Sequence, residues 1–427
     1  MQRYAPYLQP LAAQSAAMTE LAIEWVKVRS GSYDRPGLAR MAAKLKSAFS
    51  VLGGTCEELE LAPQSAIGPD GLPCDLPLGK ALRFRKRSGA PLQVFLGIHY
   101  DVVYGDPAPG ASGAGTAGNA GTAEVTQTIR QENGAVHASG AADAKGGLVI
   151  LLKALEAFEA SPFCTGVGWE ILLNPDEELG SPGSAPLLRE AAGRNHLGLL
   201  FEPCLPDGNL VGARKGSGNF AAVIRGRAAH AGRDPHLGRN AIHAMAEWIV
   251  ELNRFGATRP GLNVNVGKVE GGGPLNRVPD LAIARFNLRA QDAEDQAAAE
   301  DFLRGSAAAF AAREGYSLEL HGHFASPPKP MDGPMEGLLT AIRACGKDLG
   351  LDLSWRPSGG VSDGNKLAAA GLPNVDTLGG RGDSIHGPKE WLAAESLAER
   401  ARLTALLLMR LGSGELAWPA ARTGQGG

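Results

Sequence analysis

The chain contains 427 residues, which is enough for two or more domains with separate hydrophobic cores. Its net charge of −3 at pH 7 argues against a nucleic-acid-binding protein, because such proteins carry a clustered basic excess. The N-terminal segment lacks the basic-then-apolar order of a signal peptide, and no apolar run approaches the ~20 residues of a membrane span. We therefore expect a cytoplasmic protein that binds neither nucleic acid nor membranes.

Helices and short apolar strands alternate in the first half of the chain. An amphipathic helix is predicted first, because five apolar residues follow the 3.6-residue helical period: Met18, Leu21, Ala22, Trp25 and Val26. Strands are predicted at residues 92–98, 169–173 and 198–201, and a helix at residues 148–158 separates the first two. This alternation is typical of a mostly parallel α/β sheet, which binds ligands beyond the carboxyl ends of its strands.

The middle of the chain has a different order, β-α-β-β-α-β, which is that of a ferredoxin-like unit. The predicted elements are a strand at 219–227, a helix at 240–255, strands at 262–269 and 281–289, a helix at 293–313 and a strand at 316–323. We therefore predict a domain at residues 214–327 that is inserted into the α/β domain. The α/β domain then comprises residues 1–213 and 328–427.

Residues 106–122 are a low-complexity stretch rich in glycine, alanine and proline. Gly113, Gly115 and Gly118 within it match the G-x-G-x-x-G pattern of dinucleotide-binding folds. No predicted strand precedes these glycines and no predicted helix follows them, so we do not interpret them as a nucleotide site. The stretch is instead predicted to be a flexible surface insertion whose role is left open.

Two histidines and three carboxylates, most of them just after a predicted strand, form a candidate metal site: His99, Asp143, Glu178, Glu202 and His386. Each has an ordinary alternative when taken singly. His99 could be a core histidine oriented by Asp101, and Asp143 could cap the helix that follows it. Glu202 could be a solvated strand end, and His386 a loop histidine. As a set, these nitrogen and oxygen donors suit zinc or a similar divalent ion.

The charges of the candidate ligands favour two metal ions over one. Two divalent ions bring a charge of +4 against −3 from Asp143, Glu178 and Glu202, and a bridging hydroxide would complete neutrality. One aspartate can bridge ions ~3.5 to 4 Å apart, which leaves each ion a histidine and a glutamate of its own. Glu177, beside Glu178, is then available to transfer protons as a general base.

Seven motifs occur in the order of a known metallohydrolase family: HYD, GAADAKGG, NPDEELGS, FEP, RAAHAGRDPHLGRNAI, SGGVSDGN and GGRGDSIHGPKEW. Through these motifs, over nearly the whole chain, the sequence resembles the co-catalytic zinc family of aminoacylases, succinyl-diaminopimelate desuccinylases, acetylornithine deacetylases and glutamate carboxypeptidases. The resemblance implies a zinc-peptidase-like catalytic domain, and a lid and dimerisation role for the inserted ferredoxin-like domain. It also implies a homodimer and two Zn²⁺ ions, with Co²⁺ or Mn²⁺ as alternatives.

The resemblance also implies roles for the candidate site residues. Two ligand sets would share one aspartate: His99, Asp143 and Glu202 for one ion, and Asp143, Glu178 and His386 for the other. Glu177 matches the general base of the family. Asp101 matches the carboxylate that orients the first histidine, as metal-bound imidazoles usually require.

Further positions match the substrate contacts of the family. His230 in RAAHAG corresponds to the histidine that polarises the scissile carbonyl, in this family often from the other subunit of a dimer. Asn276 and Arg289 match substrate contacts of the lid, and a guanidinium suits bidentate binding of a carboxylate. Arg289 could instead be an exposed strand arginine. Gly359 and Gly360 match a backbone stretch that lines the substrate pocket, or else form a tight turn.

The sequence and the resemblance together predict a dinuclear zinc amidohydrolase. Its predicted substrate is a small peptide or N-acyl amino acid with a free carboxylate, and the segment ARKGSGNF favours the carboxypeptidase type. The enzymatic alternative is a biosynthetic deacylase of the acetylornithine deacetylase or succinyl-diaminopimelate desuccinylase type. The alternative from another class is a non-catalytic, metal-dependent binding protein, and the presence of Glu177 counts against it.

Overall fold

The computed structural model describes residues 1–103 and 128–418. The stretch predicted as an insertion, residues 106–122, lies outside the described residues. Ten α-helices occur in the described ranges: α1 (Ala5–Ala13), α2 (Ser15–Val26), α3 (Arg35–Phe49), α4 (Gly147–Glu159), α5 (Ala185–Arg194), α6 (Ala241–Ala257), α7 (Ala293–Ala311), α8 (Gly333–Asp348), α9 (Asp363–Ala369) and α10 (Ala394–Gly412). None of these helices is long and apolar enough to cross a bilayer.

Eighteen β-strands occur in the same ranges: β1 (Thr55–Leu59), β2 (Gln64–Ile67), β3 (Pro73–Leu76), β4 (Ala81–Lys86), β5 (Leu92–His99), β6 (Arg130–Glu132), β7 (Ala135–His137), β8 (Val167–Asn174), β9 (Leu197–Leu200), β10 (Leu210–Arg214), β11 (Gly216–Arg225), β12 (Leu262–Gly271), β13 (Leu281–Ala290), β14 (Ser317–Ser326), β15 (Trp355–Ser358), β16 (Asn374–Val375), β17 (Gly382–Asp383) and β18 (Trp391–Ala393). The predicted N-terminal helix corresponds to α2. The other predicted elements of the first half correspond to α4, β5, β8 and β9, with ends that differ by one or two residues.

Six strands form the central sheet in the order β1-β4-β8-β5-β9-β16. The pairs from β8 to β16 are parallel, whereas β1 and β4 add an antiparallel edge. Strand β8 is buried along its whole length, which is typical of a strand covered on both faces. The predicted mostly parallel α/β sheet is therefore confirmed.

The predicted β-α-β-β-α-β order is observed as β11-α6-β12-β13-α7-β14. These four strands form a separate antiparallel sheet in the order β12-β13-β11-β14, which is the ferredoxin-like arrangement. Helices α6 and α7 cover one face of this sheet around Phe220, Trp248 and Phe286, in a core distinct from that of the central sheet. The domain limits at residues 214 and 327 stay a prediction.

A hairpin from the first part of the chain covers part of the other face of this sheet. Strands β2 and β3 pair antiparallel, and Ile67 packs against Ala221, Val223 and Ile283. Nη2 of Arg285 donates to the carbonyl oxygen of Ile67 at 2.6 Å. The hairpin therefore contacts the ferredoxin-like sheet at a place separate from the two connections before β11 and after β14.

Candidate metal centre

The candidate ligands meet beyond the carboxyl ends of parallel strands. His99 is the last residue of β5, Glu178 follows β8 in a short 3-10 turn, and Glu202 follows β9. Because β8, β5 and β9 are neighbours in the central sheet, these three side chains arrive at one edge. Asp143 comes from the buried segment Ala141–Gly146 before α4, and His386 from the loop between β17 and β18.

Asp143 lies between the two histidines. Its Oδ1 is 2.9 Å from Nε2 of His99, and its Oδ2 is 3.1 Å from Nε2 of His386. Oε2 of Glu202 is 3.5 Å from Nε2 of His99, and Oε2 of Glu178 is 3.1 Å from Nε2 of His386. Each histidine therefore faces one carboxylate of its own and one oxygen of Asp143.

The donor atoms of this cluster fit divalent metal ions. His99, Asp143 and Glu178 each offer one ligand atom, and these atoms lie within 4.8 Å of one another. Nδ1 of His99 is 3.0 Å from the carbonyl oxygen of Asp101, so the neutral ring carries its proton there and turns the lone pair of Nε2 toward the carboxylates. Oε1 of Glu178 is buried and has no hydrogen-bond partner in the described part of the chain. A cation beside these lone pairs would satisfy them.

Crowding of carboxylates governs the ionisation of the cluster. Burial, followed by the charge of Asp143, raises the pKa of Glu178 to about 7. Burial, followed by the charge of Glu202, raises the pKa of Glu177 well above its ordinary value. Burial opposes the ionisation of Asp143, but when the rings of His386 and His99 carry a proton on Nε2, their hydrogen bonds to its carboxylate outweigh burial and lower its pKa. Bound cations would offset the mutual repulsion of these acids.

Asp101 is fully buried and contacts three residues of the candidate site. Its Oδ1 accepts the N–H of Glu177 at 3.2 Å, and its Oδ2 accepts the N–H of Glu178 at 3.2 Å. Oδ1 is also 3.3 Å from Nδ1 of His99. One carboxylate therefore orients the histidine ring and fixes the turn that carries both glutamates.

Ser32 is a residue of this region that the sequence analysis missed. Its hydroxyl donates to Oδ2 of Asp101 at 2.7 Å. Two residues earlier, Ser30 donates to the carbonyl oxygen of Tyr100 at 2.7 Å and accepts from Nζ of Lys145 at 2.6 Å. The only sequence signal is the Ser-x-Ser spacing in a short loop, and such spacing is too common to indicate a site.

Glu390 is a second missed residue. Its buried carboxylate accepts the N–H groups of Gly140, Ala142 and Asp143 at 2.9, 2.9 and 3.0 Å. It therefore shapes the backbone that presents Asp143 to the cluster. A carboxylate four residues after His386, within one motif, is the signal that could have indicated it.

His230 and Asn276 lie apart from the cluster. No hydrogen bond or ion pair among the described residues joins either of them to the five candidate ligands. His230 is exposed, and its Nδ1 accepts the N–H groups of Gly232 and Arg233 at 3.2 and 2.9 Å. The proton of the neutral ring is therefore on Nε2. The carbonyl oxygen of Asn276 accepts the N–H of Ala231, so Asn276 belongs to the same loop region.

Arg289 connects the ferredoxin-like sheet to the predicted substrate loop. Its Nη1 donates to the carbonyl oxygen of Gly359 at 2.7 Å, and its Nε is 3.3 Å from Oδ1 of Asn287. Burial lowers the pKa of its guanidinium, and no carboxylate pairs with it among residues 1–103 and 128–418. Gly360, the second predicted glycine, accepts from Nη1 of Arg214 at 3.2 Å.

The parallel sheet, the histidine–carboxylate cluster at its edge and the ferredoxin-like insertion define an α/β protein with a candidate divalent-metal centre. Comparison with known families gives the class of enzyme. Residues 95–410 match Peptidase family M20/M25/M40, and the chain belongs to this family. It is therefore a metallopeptidase or amidohydrolase, as the sequence predicted.

Several known proteins are similar over most of their length. Carboxypeptidase G2 of Pseudomonas sp. (strain RS-16) is 27% identical over 296 residues, which cover 67% of this chain and 70% of that protein. The succinyl-diaminopimelate desuccinylase of Azoarcus sp. (strain BH72) is 28% identical over 384 residues, which cover 85% of this chain and 94% of that protein. The solved structure of a Staphylococcus aureus tripeptidase has a TM-score of 0.68 at 21% identity and covers 93% of this chain and 99% of its own. A dinuclear metal-binding M20 peptidase of Bacillus subtilis has a TM-score of 0.62 at 18% identity, covering 94% of this chain and 99% of its own.

Proposed function

We propose that this enzyme is a dinuclear zinc amidohydrolase that cleaves an amide bond of a peptide or N-acyl amino acid with a free carboxylate. The observation that carries the proposal is the position of Asp143, which turns one carboxylate oxygen toward each histidine. A carboxylate in this position suits a bridge between two divalent ions. Zinc fits the mixed nitrogen and oxygen donors, and Co²⁺ or Mn²⁺ are the alternatives.

Five side chains would hold the two ions in sets that share one aspartate: His99, Asp143 and Glu202 in one set, and Asp143, Glu178 and His386 in the other. When bound, the ions supply positive charge that lowers the pKa of a water molecule and polarises the amide carbonyl. The protein contributes the orientation of its ligands and the transfer of protons. Asp101 orients His99, and Glu390 orients the backbone of Asp143.

Glu177 is the proposed general base. Its carboxylate would take a proton from the attacking water and pass it to the nitrogen of the leaving amine. Burial and the charge of Glu202 raise its pKa, so its carboxylate binds a proton more readily than an exposed glutamate does, as a general base requires. The bond from the Glu177 N–H to Asp101 fixes the backbone of the base.

His230 is the proposed donor to the carbonyl oxygen of the substrate. Because two backbone amides bind Nδ1, Nε2–H would be the group that donates to the developing oxyanion. We propose that His230 acts on the site of a second subunit in a homodimer. The edge strands β12 and β14 offer backbone groups through which two copies could pair. Asn276, which lies in the same loop region, is the proposed second contact of this loop with the substrate.

Two cations support a substrate that carries a carboxylate. Arg289 and Lys215 form no ion pair with a carboxylate in the described ranges. Nζ of Lys215 donates to Oδ1 of Asn263 at 2.8 Å, and Asn263 lies directly across from Arg289 in the β12–β13 pair. Lys215 therefore binds the residue that pairs with Arg289 across the two strands. Both side chains are suited to bind a carboxylate. Gly359 and its neighbour Gly360 are proposed to line the same pocket.

An activity screen of the zinc-loaded protein tests this proposal. The substrates are N-acyl amino acids and dipeptides that end in glutamate, aspartate or a hydrophobic residue, each paired with a version whose carboxylate is amidated. Release of free amine from the carboxylate member of a pair, and not from its amidated partner, supports the proposed function. Absence of hydrolysis with zinc, cobalt and manganese alike contradicts it.

A biosynthetic deacylase is the second candidate, and similarity to succinyl-diaminopimelate desuccinylases favours it. A succinyl group ends in a carboxylate that could meet the same two cations, Arg289 and Lys215. Adding N-succinyl and N-acetyl diamino acids to the screen separates the candidates by their ratio of kcat/KM values. A non-catalytic binding protein would bind metal and substrate without turnover, and the presence of Glu177 counts against it.

A further inference from the structure

Arg214 ends β10 just before the chain enters the ferredoxin-like sheet, and Lys329 follows β14, where the chain leaves it. These two connections, at which the chain passes between the central part and the ferredoxin-like sheet, are called the crossings, and they pair with each other. The N–H of Arg214 donates to the carbonyl oxygen of Lys329 at 2.9 Å, and the N–H of Lys329 donates to that of Arg214 at 3.0 Å. Asn365 bridges them as well, because its Nδ2 donates to the carbonyl oxygens of Lys215 and Pro327 at 3.0 and 2.8 Å. The crossings therefore form one unit rather than two independent linkers.

Asp376 anchors this unit to the central sheet. Its carboxylate is fully buried and accepts from Arg214 through two nitrogens, Nε at 2.8 Å and Nη2 at 2.9 Å. It also accepts from Nζ of Lys329 at 2.8 Å. Its carbonyl oxygen accepts the N–H of Glu202, a candidate metal ligand, at 3.0 Å. Bidentate binding therefore fixes the plane of the Arg214 guanidinium relative to the metal centre.

The remaining nitrogen of Arg214 reaches the predicted substrate loop. Nη1 donates to the carbonyl oxygen of Gly360 at 3.2 Å. The preceding carbonyl oxygen, that of Gly359, accepts from Nη1 of Arg289 at 2.7 Å. Lys329 makes no hydrogen bond to this loop among the residues that the structure describes. Of the two cations on Asp376, only Arg214 connects the metal centre to the loop.

We propose that Arg214 is a positioning residue that holds the Gly359–Gly360 loop, and through it Arg289, in a fixed place relative to the metal centre. The inference rests on the function proposed above, in which Arg289 binds the carboxylate of the substrate. A guanidinium suits the role because it binds Asp376 with two nitrogens and reaches Gly360 with the third. An ammonium group lacks this planar fork.

Two substitutions at the same carboxylate separate positioning from general stability. Arg214→Lys keeps a positive charge but releases Gly360, so we expect KM for a carboxylate substrate to rise about tenfold while kcat changes less than about threefold. Hydrogen–deuterium exchange at residues 358–361 should become faster in this variant. Lys329→Met, the matched control, removes a buried cation that makes no hydrogen bond to the loop among the described residues. It should lower Tm and leave both KM and loop exchange unchanged.

Equal rises of KM in both variants, or a loop that exchanges as slowly in Arg214→Lys as in the wild type, would overturn the proposal. The exchange measurement needs no turnover. Faster loop exchange in an enzyme that cleaves none of the tested substrates would therefore support the positioning role and contradict only the proposed function.

A further variant decides the matter if Arg214→Lys does not fold. The N–H of Gly360 donates to Oγ of Ser358 at 3.1 Å, and Ser358→Ala removes this support while leaving Arg214 in place. Exchange at the Gly360 amide should then become faster, because this N–H loses its acceptor. The other amides of residues 358–361 should stay within about twofold of the wild type, because Arg214 still binds the carbonyl oxygen of Gly360. Faster exchange at the other amides of residues 358–361 in Ser358→Ala would contradict the inference.

Discussion

Glu177 and Glu178 are neighbours in sequence with different surroundings. Oε2 of Glu178 lies 3.1 Å from Nε2 of His386, and its other oxygen is buried without a partner in the described ranges. The ionisation of Glu177 is governed instead by burial and by the charge of Glu202. The backbone amides of both glutamates bind Asp101. One rigid turn can therefore present a metal ligand and a proton-transfer group side by side.

The first prediction separates the two glutamates. Glu178→Gln keeps the size of the side chain but removes its charge, so we expect metal affinity to fall by more than the ~10–100-fold that loss of a supporting residue costs. Metal analysis after dialysis, followed by titration with zinc, measures the change. Glu190→Gln, at an exposed position, is the control. A Glu178→Gln protein that retains the wild-type metal content at limiting zinc would show that Glu178 is not a ligand.

A second prediction concerns Ser32. Ser32→Ala leaves the buried carboxylate of Asp101 without one donor, which should lower the free energy of unfolding by ~1–3 kcal/mol. We also expect kcat to fall, because Asp101 then holds the turn of Glu177 less firmly. Urea unfolding and steady-state kinetics measure both effects, with the exposed Ser47→Ala as control. Unchanged stability and kcat in Ser32→Ala would show that this hydrogen bond is dispensable.

Residues at strand ends could be predicted from the sequence, and residues brought in from elsewhere could not. His99 and Glu202 follow apolar strands, and parallel strands place their carboxyl ends at one edge, so local patterns were sufficient. Ser32 approaches the cluster only because its segment pairs with the chain after β5, through a bridge between Gly31 and Val102. No periodicity or motif encodes that pairing.

At the scale of elements, the two crossings between the sheets depend on one buried carboxylate. We predict that Asp376→Asn costs ~3–5 kcal/mol of unfolding free energy, because it leaves the buried cations of Arg214 and Lys329 without their counter-charge. Asp207→Asn breaks an exposed pair with Arg356 and should cost less than ~1 kcal/mol. Urea denaturation of the two variants provides the comparison. Equal, small losses of unfolding free energy in the two variants would show that the crossings do not depend on the charge of Asp376.

The buried strands β5, β8 and β9 and the ferredoxin-like unit were predicted, whereas the helices α3, α8 and α10 and the short exposed strands were not. The central strands and the ferredoxin-like unit were predicted in the correct order because their buried faces repeat over many residues. The hairpin of β2 and β3 was missed, since β3 is four residues long and mostly exposed. Its contact with the ferredoxin-like sheet forms only in the folded chain, through the small apolar cluster around Ile67.

At the scale of the whole molecule, the proposed catalytic groups lie in two parts of the chain with distinct cores, the central sheet and the ferredoxin-like unit. The metal cluster lies at the edge of the central sheet, whereas His230 is exposed and makes no hydrogen bond or ion pair to the candidate ligands among the described residues. A second subunit that brings its own His230 to the cluster would complete the site. The homodimer is therefore part of the proposed mechanism, since the site of each chain would depend on the partner.

Subunit complementation tests this arrangement. His230→Ala and Glu177→Gln should each be nearly inactive, the first through loss of an oxyanion donor that contributes ~3 to 4 kcal/mol. After subunit exchange, half of the dimers are mixed and each has one intact site, so we expect about a quarter of wild-type activity. Exchange is verified first with differently tagged chains. Verified mixed dimers that remain as inactive as the parents would show that His230 acts within its own chain or not at all.

The metal content and turnover of Glu177→Gln test the central claim most directly. If Glu177 is the general base and not a ligand, the purified variant should hold two metal ions per chain, as the wild type should, while kcat falls ~10² to 10⁴-fold. Loss of metal together with activity would place Glu177 among the ligands. Turnover close to that of the wild type, with both metals bound, would contradict the proposed mechanism.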